Sequence, residues 1–344
     1  SHIFYGAIGG YGGLGVIVEA ELDLSDNIRV ERRDEKMETA DYFKYFCENV
    51  RESEDAVFHN ADIYPPHYTK LRAVTWSKTE KPATHKESMI PEGQKYGLEK
   101  YFYWAFSETP FGKWRREHII DPLIYSKNKV HWKNYEASYD VAELEPKSRK
   151  KSTYVLQEYF VPIARFDEFM SKMAEILQRH DVNMINISVR HAKKDSGALM
   201  AWAADEVFAF VLYYKQGVSD VDKNRVAVWT RELVEAAISC DGCYYLPYQP
   251  HATSSQLHRA YPRAKELFEL KDKYDPNFKF KNIIWDTYYK QEEVKKTTLK
   301  SEFHQVFSSM EWSDKFYRFL QVIYRIYPED KFHYLIKEIY QNHE

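Results

Sequence analysis

The residues best suited to chemistry lie in one short stretch, Cys243–Thr253. It contains three tyrosines and one histidine, together with two prolines that restrict the backbone. A tyrosine such as Tyr248 can donate a hydrogen bond or, with a lowered pKa, accept a proton. A Ser254-Ser255 pair that can cap a helix follows, and Asp275-Pro276 marks the end of that helical run. We therefore take Cys243–Thr253 as the centre of a candidate site.

A second stretch, residues 8–22, is rich first in glycine and then in β-branched residues. Glycine has no Cβ, so Gly12, Gly13 and Gly15 allow the backbone to approach a ligand closely. The residues from Val16 to Leu22 predict a strand after this turn. Glycine-rich turns are common, so this stretch is informative only in combination with the first.

Together the two stretches resemble the FAD-linked oxidases of the vanillyl-alcohol-oxidase superfamily, and in particular the sugar-oxidase branch that includes decaprenylphosphoryl-ribose oxidase. In that branch a Tyr-Leu strand runs beneath the flavin, and a Tyr-Pro-Arg helix and an Asp-Pro turn with a later Phe follow it. The matching residues here are Tyr245-Leu246, Tyr261-Pro262-Arg263, and Asp275-Pro276 with Phe280. The resemblance covers residues 4–288, and residues 8–22 look like the last strand of the family's FAD-binding domain.

The resemblance implies an FAD-dependent oxidoreductase that oxidises an alcohol carbon of a sugar or a similar small-molecule alcohol by hydride transfer to the flavin. It also implies that this chain is the C-terminal, substrate-binding part of a longer flavoenzyme, because the family's pyrophosphate-binding loop lies upstream of the matched region. The missing N-terminal FAD-binding half is then a partner of the chain, and this fragment alone is expected to be colourless and inactive. The implied flavin contacts are Gly12, Gly13, Gly15, Val16, Ile17 and Tyr245.

On the substrate side, the resemblance implies an active site lined by Tyr248, Gln157, Tyr159, Arg190 and His191. Tyr248 stands where the branch has a lysine, and a neutral phenol does not hold an anion as a lysine does, which disfavours a phosphorylated substrate. Gln157 and Tyr159 share one strand face, and Arg190 suits an anionic group. Interpretations without a catalytic role also fit. The tyrosines would then be core residues, the strand face with Gln157 would be a polar outer face, and His191 would make a purely structural hydrogen bond.

Hydrophobic periodicity predicts the elements that would position these residues. Strands are predicted at 154–161, 183–190, 199–203, 207–214 and 243–246, and helices at 165–179 and 224–239. Their order is the split βαβ pattern, which predicts an antiparallel sheet with both helices on one face. The expected fold class is therefore α+β, a cap-domain sheet whose other face is free to cover the flavin and its substrate.

The remaining segments complete the expected domain organisation. The pattern predicts a strand at 28–33, a helix capped by Thr39, strands at 57–64 and 70–76, an exposed excursion at 77–95, a helix at 97–106, a loop-rich region at 110–150 and a charged connector at 143–151. Helical spacing of aromatic residues continues beyond 288. We therefore divide the chain into the end of an FAD-binding domain (1–30), a substrate or cap domain (31–288) and a helical extension (289–344).

Composition and cysteine count narrow the class of protein. A net charge of −3 over 344 residues lacks the basic excess of a nucleic-acid-binding protein. No apolar run is long enough to span a membrane, and a cytoplasmic location is the expectation. The C-x-x-C spacing of Cys240 and Cys243 fits a redox or zinc site, but Gly242 as the C-terminal cap of a helix explains it better.

Two alternatives to a sugar oxidase remain open. A non-catalytic binding or interaction domain that lacks its flavin half would show the same strand and helix patterns. A sterol-type reductase of the same superfamily would share the cofactor but not the substrate.

Overall fold

The computed structural model describes residues 2–93, 105, 108–109, 111–138 and 148–290. The chain divides into two compact units, Ser1–Ile284 and Trp285–Glu344. In the second unit the described residues contain a π-helical turn, Trp285–Tyr289. Most of the predicted helix at 97–106, much of the predicted connector at 143–151 and the predicted helices beyond 290 lie outside the described residues.

The first unit is built on one antiparallel sheet of eight strands, counted over the described residues. The strands are β1 (Arg29–Glu38), β2 (Ala56–Ile63), β3 (Lys70–Lys78), β4 (Val130–Trp132), β5 (Ser152–Pro162), β6 (Met184–Ala192), β7 (Val207–Gly217) and β8 (Cys243–Tyr244). Their spatial order is β4-β1-β3-β2-β6-β7-β5-β8. The prediction of an antiparallel sheet is therefore confirmed. The sheet is wider than expected, because β2 pairs with β6 and joins the N-terminal strands to the C-terminal ones.

The helices are α1 (His2–Ala7), α2 (Thr39–Phe46), α3 (Gly112–Arg115), α4 (Asp121–Tyr125), α5 (Lys133–Ala137), α6 (Phe166–Arg179), α7 (Asp220–Ser239), α8 (Ser254–Ala260) and α9 (Ala264–Tyr274). A π-helical turn, Arg116–Ile120, joins α3 to α4, so residues 112–125 form one continuous helical segment. We call residues 112–125 the covering segment.

Helices α6 and α7 pack against each other on one side of the sheet, which we call the helix face. Phe169 of α6 contacts the rings of Tyr159 and Phe210, with centroids 6.0 and 4.8 Å away. Trp229 of α7 meets the ring of Tyr214 at 4.8 Å. The apolar stripe of α6 is buried as its spacing predicts, and this contact is what holds both helices on the same face.

The opposite side of the sheet, the second face, is covered only in part. Arg116 of the covering segment donates to the Ile185 carbonyl at 2.8 Å and to Asn186 Oδ1 at 2.6 Å. Arg32 of β1 donates a hydrogen bond to the Ile124 carbonyl at 3.0 Å. The covering segment therefore lies over β1, β2, β3 and β6. The sequence predicts a loop-rich region at 110–150. For residues 112–125 that prediction was wrong, because they are helical.

Other predicted elements also differ from the structure. Residues 16–22 form no strand, and Val16, Ile17 and Val18 are exposed. Residues 199–203 form a partly buried turn instead of a strand. The N-cap of α2 is Glu38 rather than Thr39, whose hydroxyl bonds the Thr69 carbonyl at 3.2 Å. For residues 16–22 and 199–203 an apolar pattern is present, but the strands that the structure describes do not pair with it.

The end of α7 shows why a glycine is needed at 242. Asp241, with φ of 59°, takes the left-handed position, and the Gly242 N–H bonds the Ala237 carbonyl at 2.8 Å. A Cβ at 242 would lie 2.3 Å from the Phe160 carbonyl oxygen. Glycine is therefore required at 242 for the close approach of α7's end to β5, whereas the left-handed residue at this helix end is Asp241.

Candidate functional site

The glycine-rich N-terminal loop is joined to the C-terminal half of the first unit by a buried lysine. Lys271 of α9 has no exposed surface, and its Nζ donates to the Gly13 carbonyl and to Asp275 Oδ2, each at 2.6 Å. It also donates to the Phe280 carbonyl. Asn282 adds a hydrogen bond from its Nδ2 to the Tyr11 carbonyl at 2.7 Å. These contacts fix the backbone of residues 11–13.

Asp275 is the acidic partner that makes a buried lysine tolerable here. Its carboxylate accepts from the N–H groups of Lys279 and Phe280, both at 2.8 Å. Burial raises the pKa of Asp275, but the bonds from Lys271 and from these two N–H groups outweigh it and lower the pKa to about 2. The ionised carboxylate therefore orders both the lysine and the turn after α9.

Beside this junction, three tyrosine rings form an apolar wall with polar tips. Tyr11 meets Tyr245 edge to face at 6.5 Å, and Tyr245 meets Tyr248 in the same way at 5.2 Å. The Tyr245 N–H bonds the Glu158 carbonyl at 2.9 Å, and its ring lies against Phe160 of β5 at 5.9 Å. Tyr11 therefore belongs to the same cluster as the two tyrosines of the Cys243–Thr253 stretch.

Glu158 and Arg190 bring charge to these tyrosines. Strand alternation places both on the second face, since Glu158 pairs with Val211 on β7 and Arg190 with Ala209 two positions along. Burial raises the pKa of Glu158, and the attraction of Arg190 partly offsets that effect. A half-buried carboxylate of raised pKa is a better proton acceptor than an ordinary one.

The same charges act on the phenols. Burial, and to a smaller extent Glu158 and Tyr245, raise the pKa of Tyr248 to about 12, although Arg190 opposes them. The pKa of Tyr11 is raised as well, mainly by burial and then by Tyr245. Both phenols therefore stay protonated at neutral pH and act as hydrogen-bond donors. We call Tyr11, Glu158, Arg190, Tyr245 and Tyr248 the tyrosine site.

Two predicted site residues lie on the other side of the sheet. Gln157 and Tyr159 share a face, as predicted, but that face is the helix face. Tyr159 packs on Phe169, and Gln157 is buried in the core. The expectation that Gln157 and Tyr248 meet on one open face was therefore wrong. Glu158, which lies between Gln157 and Tyr159, takes the position instead. It is the one charged residue of β5, and this was the signal that the sequence offered.

His191 is also separated from its neighbour Arg190 by strand alternation. Its Nε2 lies 2.8 Å from Glu206 Oε1, and its ring rests on Phe46 at 4.9 Å. Glu206 in turn accepts from Arg51 at 3.0 and 2.6 Å. His191 thus belongs to an ion-pair network on the helix face and does not line the tyrosine site.

Four of the six predicted flavin-contacting residues border an open cleft of about 310 Å³, and Gly13 and Tyr245 do not line it. Gly12 and Gly15 adopt φ values of 69° and 152°, and a Cβ at either position would meet nothing within 4 Å. The cleft is lined by Ile3, Ala7, Gly12, Leu14, Gly15, Val16 and Ile17. Gly13, by contrast, is buried, and its carbonyl accepts a hydrogen bond from Lys271. The lining offers apolar side chains and exposed backbone, which suits one face of a flat aromatic ring.

The two cysteines of the C-x-x-C pair are free thiols and are buried. Cys243 Sγ lies 3.1 Å from the Trp202 carbonyl, and burial raises its pKa to about 12. Within the described ranges, no group of three His, Cys, Asp or Glu side chains is placed to hold a metal ion. None of the helices in this part of the chain is long and apolar enough to cross a membrane.

A search of protein-family models and a search of curated proteins each found no match to this chain. The site is therefore interpreted from its own geometry and from the resemblance of the quoted motifs.

The Lys271 junction gives the first prediction. Lys271→Met should lower the free energy of unfolding by about 3–5 kcal/mol, because the buried carboxylate of Asp275 loses its counter-charge. Lys265→Met, at an exposed position of the same helix, should change stability little. Urea unfolding of the two variants and the wild type measures the difference, and equal stability of both variants would contradict the role given to Lys271.

The pH dependence of stability has a defined direction. Because the pKa of Asp275 falls from 3.8 to about 2 on folding, its contribution is complete above 3.8 and is lost as the pH falls towards 2. In Lys271→Met the carboxylate loses its main side-chain donor, so its pKa in the folded state should rise towards 3.8 and the loss of stability on acidification should become smaller. The urea midpoint measured across this range reports the shift.

Proposed function

We propose that the chain is the substrate-binding portion of an FAD-dependent oxidoreductase that oxidises an alcohol carbon of a sugar or a similar small molecule. The observation that carries the proposal is the junction of an apolar, glycine-lined cleft with a site that contains a proton acceptor and two phenolic donors. Tyr11, in the loop that leads into the cleft, contacts Tyr245 of the tyrosine site. A flat redox cofactor and a hydroxylic substrate could therefore be bound side by side.

The residues of the cleft fit the flavin ring of FAD. Gly12 and Gly15 leave open space above the backbone, and Val16 and Ile17 present exposed apolar side chains. Tyr245 contacts Tyr11, the residue that precedes Gly12. When bound there, a flavin would supply the acceptor for a hydride from the alcohol carbon.

The chain's own residues would handle the proton and the orientation of the substrate. Glu158, with its raised pKa, would accept the hydroxyl proton as the carbon is oxidised. Tyr248 remains protonated and would donate a hydrogen bond to the same oxygen. Arg190, which is exposed at the site's rim, would bind further oxygens of a polyhydroxylated substrate. This division of roles favours a neutral sugar over a simple apolar alcohol.

The remainder of FAD would be held by a separate FAD-binding domain or chain. The exposed apolar residues after the glycines support this proposal, since they form an extended run without a strand partner in the described residues. The run comprises Val16, Ile17, Val18, Leu22 and Leu24, all exposed. Apolar runs of this kind are stabilised when another domain covers them. The chain alone should accordingly purify without bound FAD.

The cleft can be tested on the chain by itself with riboflavin as the probe. Ile17→Glu places a charge in the cleft lining and should weaken riboflavin binding by at least about tenfold. Val18→Glu is the matched control, because Val18 is exposed by 91% and does not line the cleft. Quenching of riboflavin fluorescence measures both.

Equal binding by the two variants, or no binding by the wild type, would remove the cleft as a flavin site. If the wild type then bound sugars at the tyrosine site without binding riboflavin, the alternative of a non-catalytic binding domain would be favoured.

The role of Glu158 predicts a pH profile in the flavin-loaded protein. Only the ionised carboxylate accepts a proton, so the rate of flavin reduction by a sugar should rise as the pH passes the raised pKa of Glu158 and then level off. Glu158→Gln should remove this rise and lower the plateau by about a hundredfold or more. Anaerobic stopped-flow absorbance of the flavin follows the reaction.

Two variants serve as controls for the pH profile. Tyr248→Phe should slow reduction by about ten- to a hundredfold while it keeps the rise with pH. Glu269→Gln, at an exposed position of α9, should behave as the wild type does. An unchanged profile in Glu158→Gln would rule out Glu158 as the proton acceptor.

A further inference from the structure

The covering segment, together with Phe111 before it, carries its apolar residues on the outside. Phe111 is 81% exposed and Leu123 is 70% exposed, and Trp114 is more than half exposed. Ile119 and Ile124 belong to the same exposed set. A helical segment of a water-soluble domain normally turns such residues towards the core. Here the orientation is reversed, and the reversal needs a physical explanation.

The inner side of the segment is charged, and the sheet beneath it is charged as well. Arg116 bonds the Ile185 carbonyl and Asn186, and Asp121 accepts from the Tyr64 hydroxyl at 2.8 Å. Both charged residues are buried. The second face below contributes further polar groups from neighbouring strands: Arg32, Asp34, Asp62 and Arg72.

These buried charges prevent the segment from rotating. The guanidinium groups of Arg32 and Arg72 lie over the Tyr125 ring, at 4.5 and 4.7 Å from its centroid. Rotation of the segment to bury Leu123 would take Arg116 and Asp121 away from their partners and set an apolar side chain against the charged residues of the sheet, which costs more than the apolar contact gains. The apolar side is therefore held towards the outside by the polar side.

The charged side chain exposed beside the segment is basic. Lys127 is exposed just after the segment, and His118 stacks on Trp114 at 4.9 Å. The two acids of residues 111–129, all of which are described, are withdrawn from this side: Glu117 pairs with Lys36 at 2.8 Å, and Asp121 is buried. Exposed aromatic and aliphatic residues beside an exposed lysine, with no exposed carboxylate among residues 111–129, match the interfacial region of an anionic bilayer.

We propose that Phe111, Trp114, Ile119, Leu123 and Ile124 dock the protein on a lipid surface that contains anionic headgroups. The aromatic and aliphatic side chains enter the headgroup region, and Lys127 contacts the lipid phosphates. The segment lies in the plane of the interface and does not cross the bilayer. The tyrosine site lies on the same face of the sheet, beside the covering segment, so docking would bring it close to substrates at that surface.

Co-flotation of the full chain with vesicles tests the proposal. The wild type should float with vesicles of phosphatidylcholine and phosphatidylglycerol and much less with phosphatidylcholine alone. Leu123→Ser should lower the partition coefficient by about tenfold. Val221→Ser is the matched control, because Val221 is an equally exposed aliphatic residue (71%) of α7, a helix on the opposite face of the sheet. Lys127→Glu should reduce binding only to the vesicles with phosphatidylglycerol.

Four outcomes would overturn the proposal. One is the absence of flotation with either kind of vesicle. A second is an equal loss of binding in Leu123→Ser and Val221→Ser. A third is a loss of binding in Leu24→Ser with none in Leu123→Ser, which would assign binding to the N-terminal apolar run. The last is a dimer of the wild type that Leu123→Ser dissociates without vesicles, since the patch would then bind a second copy. Circular dichroism of each variant confirms that it is folded.

Discussion

The buried pair of Lys271 and Asp275 is the interaction on which the candidate site depends. A lysine with no exposed surface requires compensation, and here it receives a carboxylate and two carbonyls, one of them from Gly13. Residue 13 and residue 271 lie 258 positions apart in the chain. This one side chain therefore brings the glycine loop, with Tyr11 and the apolar cleft, up to the C-terminal tyrosines.

The sheet supplies the second constraint, because alternation gives neighbouring residues opposite environments. On β5, Glu158 faces the tyrosine site while Tyr159 faces the core, and on β6 Arg190 and His191 are divided in the same way. The helices decide which side is the core, since Phe169 of α6 and Trp229 of α7 occupy the helix face. The site is built from what remains on the other side.

Much of this architecture could be predicted from the sequence where periodicity is strong. The buried stripe of α6 and the alternation within β6 and β7 gave the antiparallel sheet and its two helices correctly. The face of Gln157 could not be predicted, because period-two spacing says which residues share a side but not which side the helices cover. The covering segment was missed for a different reason: its inward residues are charged, so its apolar pattern does not mark a core.

The central claim is that ligand binding uses the glycine loop and the tyrosine site, whose charged residues lie on the second face. Amide hydrogen exchange of the chain, with and without saturating riboflavin, tests it most directly. The account predicts slower exchange at residues 11–17 and 243–248, and unchanged exchange in α6 and α7, which lie on the other face. Slower exchange confined to α6 or α7, with residues 11–17 unaffected, would contradict it.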